Sequence, residues 1–479
     1  MDKIKNLGLV FENGKRAIDL DENWTGRIEN LTGIIQLWSK GNLSIMGKIV
    51  IVKCFLVSQL IYVMQSIGLP EKVLIDVNRL FYKFIWQKRF SNRKAFEKVK
   101  RVIVEGNLED GGLKMVNVVH LQKAFYLQWL GKLAKSTEEK WTHIPRWWFS
   151  KLANGFGVFN FNCRSKDVKG LDKIRNGFWK AVLCTYLDTG KLTTENEINS
   201  ENVYFQQLWN NSLIQYKHNL LFYPEWKRQG IEYIKDITKD NEKRLLTLEE
   251  IKQIIVNNRG SIVLDYNAII NAIPKHWLDW ISANKQTTEL EIDQVTIKKL
   301  DQYLKKPTDL LKLIVNKDNI IPCSVGFWQH KLQIHITDCN WSLAKKCTKE
   351  IRLLVLHWKI LHNIYPTNIL LHRMGISENR NCKFCTDEID YIEHFFWSCG
   401  KINLIWKKVE EYAYLKFDKL IKLKLKDVLF GYNETENGSD VLAINHVILI
   451  AKMCISKYRY GKYFDLFFLF ERELSLRNA

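Results

Sequence analysis

Cys382-Lys-Phe-Cys385, His394 and Cys399 fall within eighteen residues, and no other stretch constrains the folding of this chain as tightly. Three thiolates and one imidazole are a complete donor set for a closed tetrahedral zinc site, and a pair of cysteines separated by two residues suits a metal-gripping turn. His394 and Cys399 stand five apart, roughly 140° round a helix at about 100° per residue. An unbroken α-helix therefore cannot aim both at one ion, and a bend is expected near Ser398-Cys399-Gly400. Two readings stand against zinc: unlinked thiols of a cysteine-containing intracellular protein, and a Cys-x-x-Cys redox pair, which no βαβ pattern surrounds. No open ligand position is visible, so the metal is expected to be structural, folding a small subdomain with little apolar bulk of its own.

The 479 residues leave room for about two to four domains, and 46% hydrophobic residues supply a core. A net charge of +20 and a pI near 9.3 call for a polyanion, nucleic acid first and an anionic membrane surface second. Cys54, Cys163, Cys184, Cys323, Cys339, Cys347 and Cys454 are scattered singly. That pattern fits reduced thiols in the nucleus or cytoplasm. No apolar leader follows Met1-Asp-Lys-Ile-Lys. The most apolar run, 49–64, is broken by Lys53, Ser58 and Gln59 and falls short of the ~20 residues of a bilayer span, so no membrane helix is expected.

Helical periodicity begins with Ile28, Leu31, Ile34, Ile35 and Trp38. After Gly41-Asn42 a second helix is expected over 43–67, apolar on most faces, and a third from Leu69-Pro70 with a stripe of Val73, Val77, Leu80 and Phe84. Lys88, Arg89, Arg93, Lys94, Lys98, Lys100 and Arg101 follow, interleaved with Phe90 and Phe96. They read either as a surface that tracks phosphates or as a solvated loop. Asp110-Gly111-Gly112-Leu113 turns the chain into another helix near 116–130. Gly106 and Gly111 have P-loop separation, but Gly112-Leu113 replaces the Lys-Ser/Thr pair that would hold phosphate and magnesium.

Leu7-Gly-Leu9, Asn23-Trp24, Leu37-Trp38, Leu43-Ser44-x-x-Gly47-Lys48, Leu60-Ile-Tyr62, Phe84-Ile-Trp86 and Gly111-Gly112-Leu113-Lys114 resemble the segment just beyond the catalytic palm of LINE-type (non-LTR) retrotransposon reverse transcriptases. In that family the segment forms the helical thumb that grips template and primer. Trp358-Lys-Ile-Leu361, Pro366-Thr367, Cys382/Cys385 and His394-Phe-Phe-Trp397-Ser-Cys399 are similar to the same family's carboxy-terminal zinc-binding domain. The resemblance implies a mainly α chain with a thumb-like bundle over 1–135, a mostly helical connector over 136–320 and the zinc-binding domain, CCHC in its ligands, over 321–479. It also implies zinc as cofactor and RNA and DNA as partners.

Between the two similarities, Trp147-Trp148-Phe149, Phe178-Trp179, Trp277 and Trp280 read as core aromatics rather than base-stacking ones. Further on, Ile351, Leu354, Val355, Trp358 and Leu361 predict a helix over 344–361 that packs beside the zinc loop. His357, His362 and His372 read as hydrogen-bonded core residues or surface residues rather than additional ligands. The series Lys416, Lys419, Lys422, Lys424 and Lys426 reads as a solvated face.

A polymerase palm needs clustered carboxylates for two metal ions, and no Asp-Asp pair occurs in the chain. No catalytic residue is expected. The sequence thus predicts a nucleic-acid-binding carboxy-terminal part of a LINE-type reverse transcriptase, holding element RNA and target or product DNA. A protein-interaction module derived from such an element is one alternative, and a part that complements a separately encoded palm is another.

Overall fold

The computed structural model describes residues 3–15, 17–87, 96–136, 138–255, 261–283, 292–315, 321–333, 340–433, 438–459, 461 and 465–477. The fold is mainly α, as expected, and the strands among the described residues form only short antiparallel pairs, such as Ile4–Asn6 with Leu9–Phe11. The chain divides into two compact units, each assembled from separated stretches: Met1–Gly26, Ile61–Leu74 and Val118–Asn316 in the first, Arg27–Leu60, Ile75–Asn117 and Lys317–Ala479 in the second.

In the first unit the Val118–Lys135 helix is apolar on nearly every face and lies inside a core with Phe149, Phe159, Trp179, Leu183 and Tyr186. A second core gathers round Trp209, Trp226 and Trp277. Trp209 is fixed by an indole N–H that donates to the Ile231 carbonyl at 2.8 Å. Side-chain caps set several helix starts: Asn176 accepts from the Trp179 N–H, and Thr247 with Glu250 forms a capping box at the Leu248–Ile254 helix. Helix persists through the middle of the chain in short pieces joined by 3-10 turns.

In the second unit, Ser44 accepts from the Gly47 N–H at 3.1 Å and starts the Ile45–Ile51 helix, which runs on through a π turn over Val52–Leu56. The helix expected over 344–361 is two helices, Leu343–Cys347 and Ile351–Leu361, with Glu350 in extended conformation as the N-cap of the second. Ile351, placed by its spacing on the apolar stripe, is exposed, whereas Leu353, Leu356 and Ile360 are buried. The Ile351–Leu361 helix is covered on more than one face because it also packs on the Gly111 turn. Gly111 has φ +85°, and its carbonyl accepts the Trp358 indole N–H at 2.9 Å and the His362 Nε2–H at 2.8 Å. At Gly112 an added Cβ would lie 2.1 Å from the Gly106 carbonyl oxygen, so only glycine fits.

The Ser439–Arg459 helix has the length and hydropathy of a bilayer span, which the sequence reading did not single out. Most of it is buried in the core of this unit, together with Trp328, Phe395, Phe396 and Trp406. Lys452 is carried into that core, where its amine donates to the Leu429 carbonyl at 3.3 Å. Burial pulls its pKa down to about 7, from an ordinary value of 10.5. Arg459 and Asp390 form a buried ion pair, and Arg459 also donates to the Asn368 Oδ1 at 2.8 Å.

Two outcomes are expected. Gly112→Ala lowers stability by at least about 2 kcal/mol, read as a shifted midpoint in urea denaturation, because the backbone at Gly106 must move. Between about pH 7 and about pH 10.5 the unfolded chain holds the Lys452 proton and the folded chain releases it, so the contribution of this residue to stability rises with pH. Lys452→Met is expected to abolish that part of the rise when wild type and variant are compared over the same interval.

Candidate metal centre

The Cys382 end of the centre is a closed loop. The Cys382 N–H donates to the Glu388 carbonyl at 2.8 Å, the Cys382 carbonyl accepts the Thr386 N–H at 3.0 Å, and Asn381 and Ile389 pair as an antiparallel bridge. Thr386, at φ +65°, reverses the chain. The Phe384 N–H points at the Cys382 Sγ, 3.4 Å away, which leaves the sulfur in the electropositive environment that a thiolate requires.

The other two ligands come from one turn. His394–Ser398 is π-helical, and the Cys399 N–H donates to the His394 carbonyl at 3.1 Å, an i→i+5 bond. This wider turn brings residues five apart towards one side, which an α-helical turn cannot do. Cys399 itself is extended, at φ −64° and ψ 121°, so the helix ends where the sequence required a bend.

One donor atom from each of Cys382, Cys385, His394 and Cys399 lies within 4.8 Å of all the others. Cys382 and Cys399 Sγ are 3.9 Å apart, against about 3.8 Å for two sulfurs on one tetrahedral zinc. Cys385 Sγ and His394 Nε2 are 3.4 Å apart, against about 3.5 Å for a sulfur and a nitrogen on the same ion. The residues present therefore fit zinc in donor type, number and spacing. Burial pushes the Cys399 thiol up to about 12, while the Glu388 backbone N–H lowers that of Cys385.

Sequence reasoning missed the residues that orient the imidazole. His394 Nδ1 lies 2.9 Å from a Glu388 carboxylate oxygen and 3.2 Å from the Ser398 hydroxyl. A proton held on Nδ1 leaves Nε2 free to face the sulfurs and makes it a stronger donor. Neither residue carries a recognisable signal in the sequence, because the approach of Glu388 depends on the loop closure.

The aromatic neighbours serve packing. Phe395 and Phe396 are buried, Phe384 stacks on Tyr458 with centroids 5.2 Å apart, and Trp397 lies against Trp406. The expectation of a small subdomain poor in apolar bulk is overturned: Cys382 and Cys399 belong to one continuous core that extends from Val325 to Leu474. His357 and His362 are core residues, as the sequence suggested. Burial lowers them to about 3 and about 4, and each faces a backbone carbonyl, of Asn340 and Gly111 respectively.

Of the expected basic surface, Lys88, Arg89, Arg93 and Lys94 lie outside the described residues. Arg101 forks onto the Glu97 carboxylate and covers the Tyr82 ring, while Lys100 is exposed. Lys98 lines a cleft of about 560 Å³ with Lys48, Arg352, Lys359 and Lys457, all within the second unit. No carboxylate lines it among the described residues. Burial, and then the charge of Lys98, hold the Lys359 amine below its usual pKa. Lys48 donates to the Phe84 and Gln87 carbonyls, and Lys457 pairs with Glu473 at 2.6 Å.

The fold and the four donors together define a mainly helical protein with a closed cluster of side chains that fits a metal ion. Residues 325–406 match the family model described as zinc-binding in reverse transcriptase, and all four donors lie inside the match. Over that stretch the chain is similar to the zinc-binding region of reverse transcriptases. The comparison with curated proteins finds no match.

Glu388→Ala is expected to weaken metal affinity about tenfold with all four donors still present, measured by competition for zinc with a chromophoric chelator.

Proposed function

We propose that this chain is a zinc-stabilised, nucleic-acid-binding portion of a LINE-type reverse transcriptase, which holds element RNA and target or product DNA and performs no polymerisation by itself. The observation that carries the proposal is the four-donor cluster inside a segment that matches a reverse transcriptase zinc-binding family. Zinc held there would fix the loop over 382–399 within the core that the Ile351–Leu361 helix also enters, and Arg352 and Lys359 of that helix line the basic cleft. Lysine and arginine in such a cleft neutralise backbone phosphates and release condensed counterions. By its resemblance to the family, the amino-terminal portion contributes the thumb.

Fluorescence anisotropy with a labelled single-stranded RNA tests the proposal. With about four phosphates neutralised, log K is expected to fall with log salt at a slope of about −3. Lys98→Glu combined with Lys359→Glu should flatten that slope by about one for each phosphate that is no longer neutralised. An affinity indifferent to salt would contradict nucleic-acid binding, and nucleotide incorporation by the isolated chain would contradict a purely binding role.

A further inference from the structure

In the first unit, distant from the metal ligands in sequence, the His143–Phe149 helix places its three consecutive aromatics in different surroundings. Phe149 is buried in the core and Trp148 is half-buried, as expected of core aromatics. Trp147, which the sequence assigned to the core with them, is 55% exposed. Successive residues on a helix point about 100° apart, so a helix lying on the core buries one and releases another.

Trp147 and Trp148 form one wall of a cleft of about 590 Å³ whose remaining charged lining is cationic: Lys151, Lys173, Arg175, Lys227 and Arg228. Arg228 pairs with Glu225 at 2.8 Å. Lys227 is buried, and its amine donates to the Ser150 carbonyl. Burial is the largest influence on that amine and lowers its pKa; Glu232 opposes the shift, and Lys151, Lys173 and Arg228 add to it. Lys151 lies over the Trp147 ring, 4.0 Å from its centroid, and Lys173 over Phe222 at 4.7 Å. Several like charges are therefore gathered round a recess that no carboxylate lines among the described residues. An anion in the recess would relieve that repulsion.

An exposed indole beside cations that outnumber the neighbouring carboxylates Glu225 and Glu232 is the combination that binds an unpaired base and its flanking phosphates. A duplex offers its phosphates but keeps its base faces stacked, so it could use the cations and not the ring. The volume lies within the range of about 300–1,000 Å³ that receives a small ligand. The geometry points to a second nucleic-acid site in this unit: the cleft takes a single strand, one base on Trp147 and the adjoining phosphates on Lys151, Lys173 and Arg175. The inference rests on the nucleic-acid reading above, but on none of the residues that carry it.

Binding of a labelled oligouridine and of inorganic polyphosphate, both measured with the full chain, tests the site. Trp147→Ala is expected to weaken oligouridine binding about fivefold or more while polyphosphate binding is unchanged. Trp147→Phe should restore most of the loss, and Arg175→Gln should weaken both ligands. Zinc content and thermal unfolding should match wild type in all three, since Trp147 and Arg175 are exposed. If wild type binds oligouridine and Trp147→Ala binds it equally well, or loses polyphosphate to the same extent, the site is refuted while the proposed function stands. If wild type fails to bind oligouridine at all, both fall.

Discussion

Four donor atoms have to meet at one point, and the local backbone between Cys382 and Cys399 is bent to that requirement. The loop over 382–388 is tied by two backbone hydrogen bonds and reversed at Thr386, and the helix carrying His394 widens into a π turn before it stops at Cys399. Each departure from regular geometry would cost free energy without a ligand to hold. With an ion bound, the same departures are what align the ligands. Glu388 belongs to this requirement as well, because an imidazole free to rotate would present the wrong nitrogen.

The centre is set in a large core rather than in a minimal knuckle. Phe395 and Phe396 enter the same cluster as Tyr365, Trp406 and the long Ser439–Arg459 helix, and the Asp390–Arg459 pair joins the ligand loop to that helix. Breaking such a pair from one side leaves a buried charge unbalanced, which makes the junction a specific one. The metal is thus expected to fix the local shape of a unit whose bulk stability comes from apolar burial.

How much was legible depended on the range of the interaction. The ligand set could be read from spacing because all four residues sit in one short loop, and the mainly helical fold from apolar periodicity. The π turn could not be read, since its i→i+5 bond leaves no mark in the apolar spacing. The Gly111 carbonyl that accepts from both Trp358 and His362 joins residues some 250 apart, and periodicity carries no information about such a partner. Burial of Lys452 and exposure of Trp147 both run against residue type. Charge was legible as a total and not as a pattern. Arg101, Arg244 and Arg477 are each held by carboxylates, whereas Lys98, Arg352 and Lys359 line a recess that has none among the described residues.

Zinc K-edge X-ray absorption on the purified protein addresses the coordination directly. Three sulfurs at about 2.3 Å and one nitrogen at about 2.0–2.1 Å are expected. A shell of light atoms alone, or protein prepared in the presence of zinc that retains none, would contradict a metal centre built from Cys382, Cys385, His394 and Cys399.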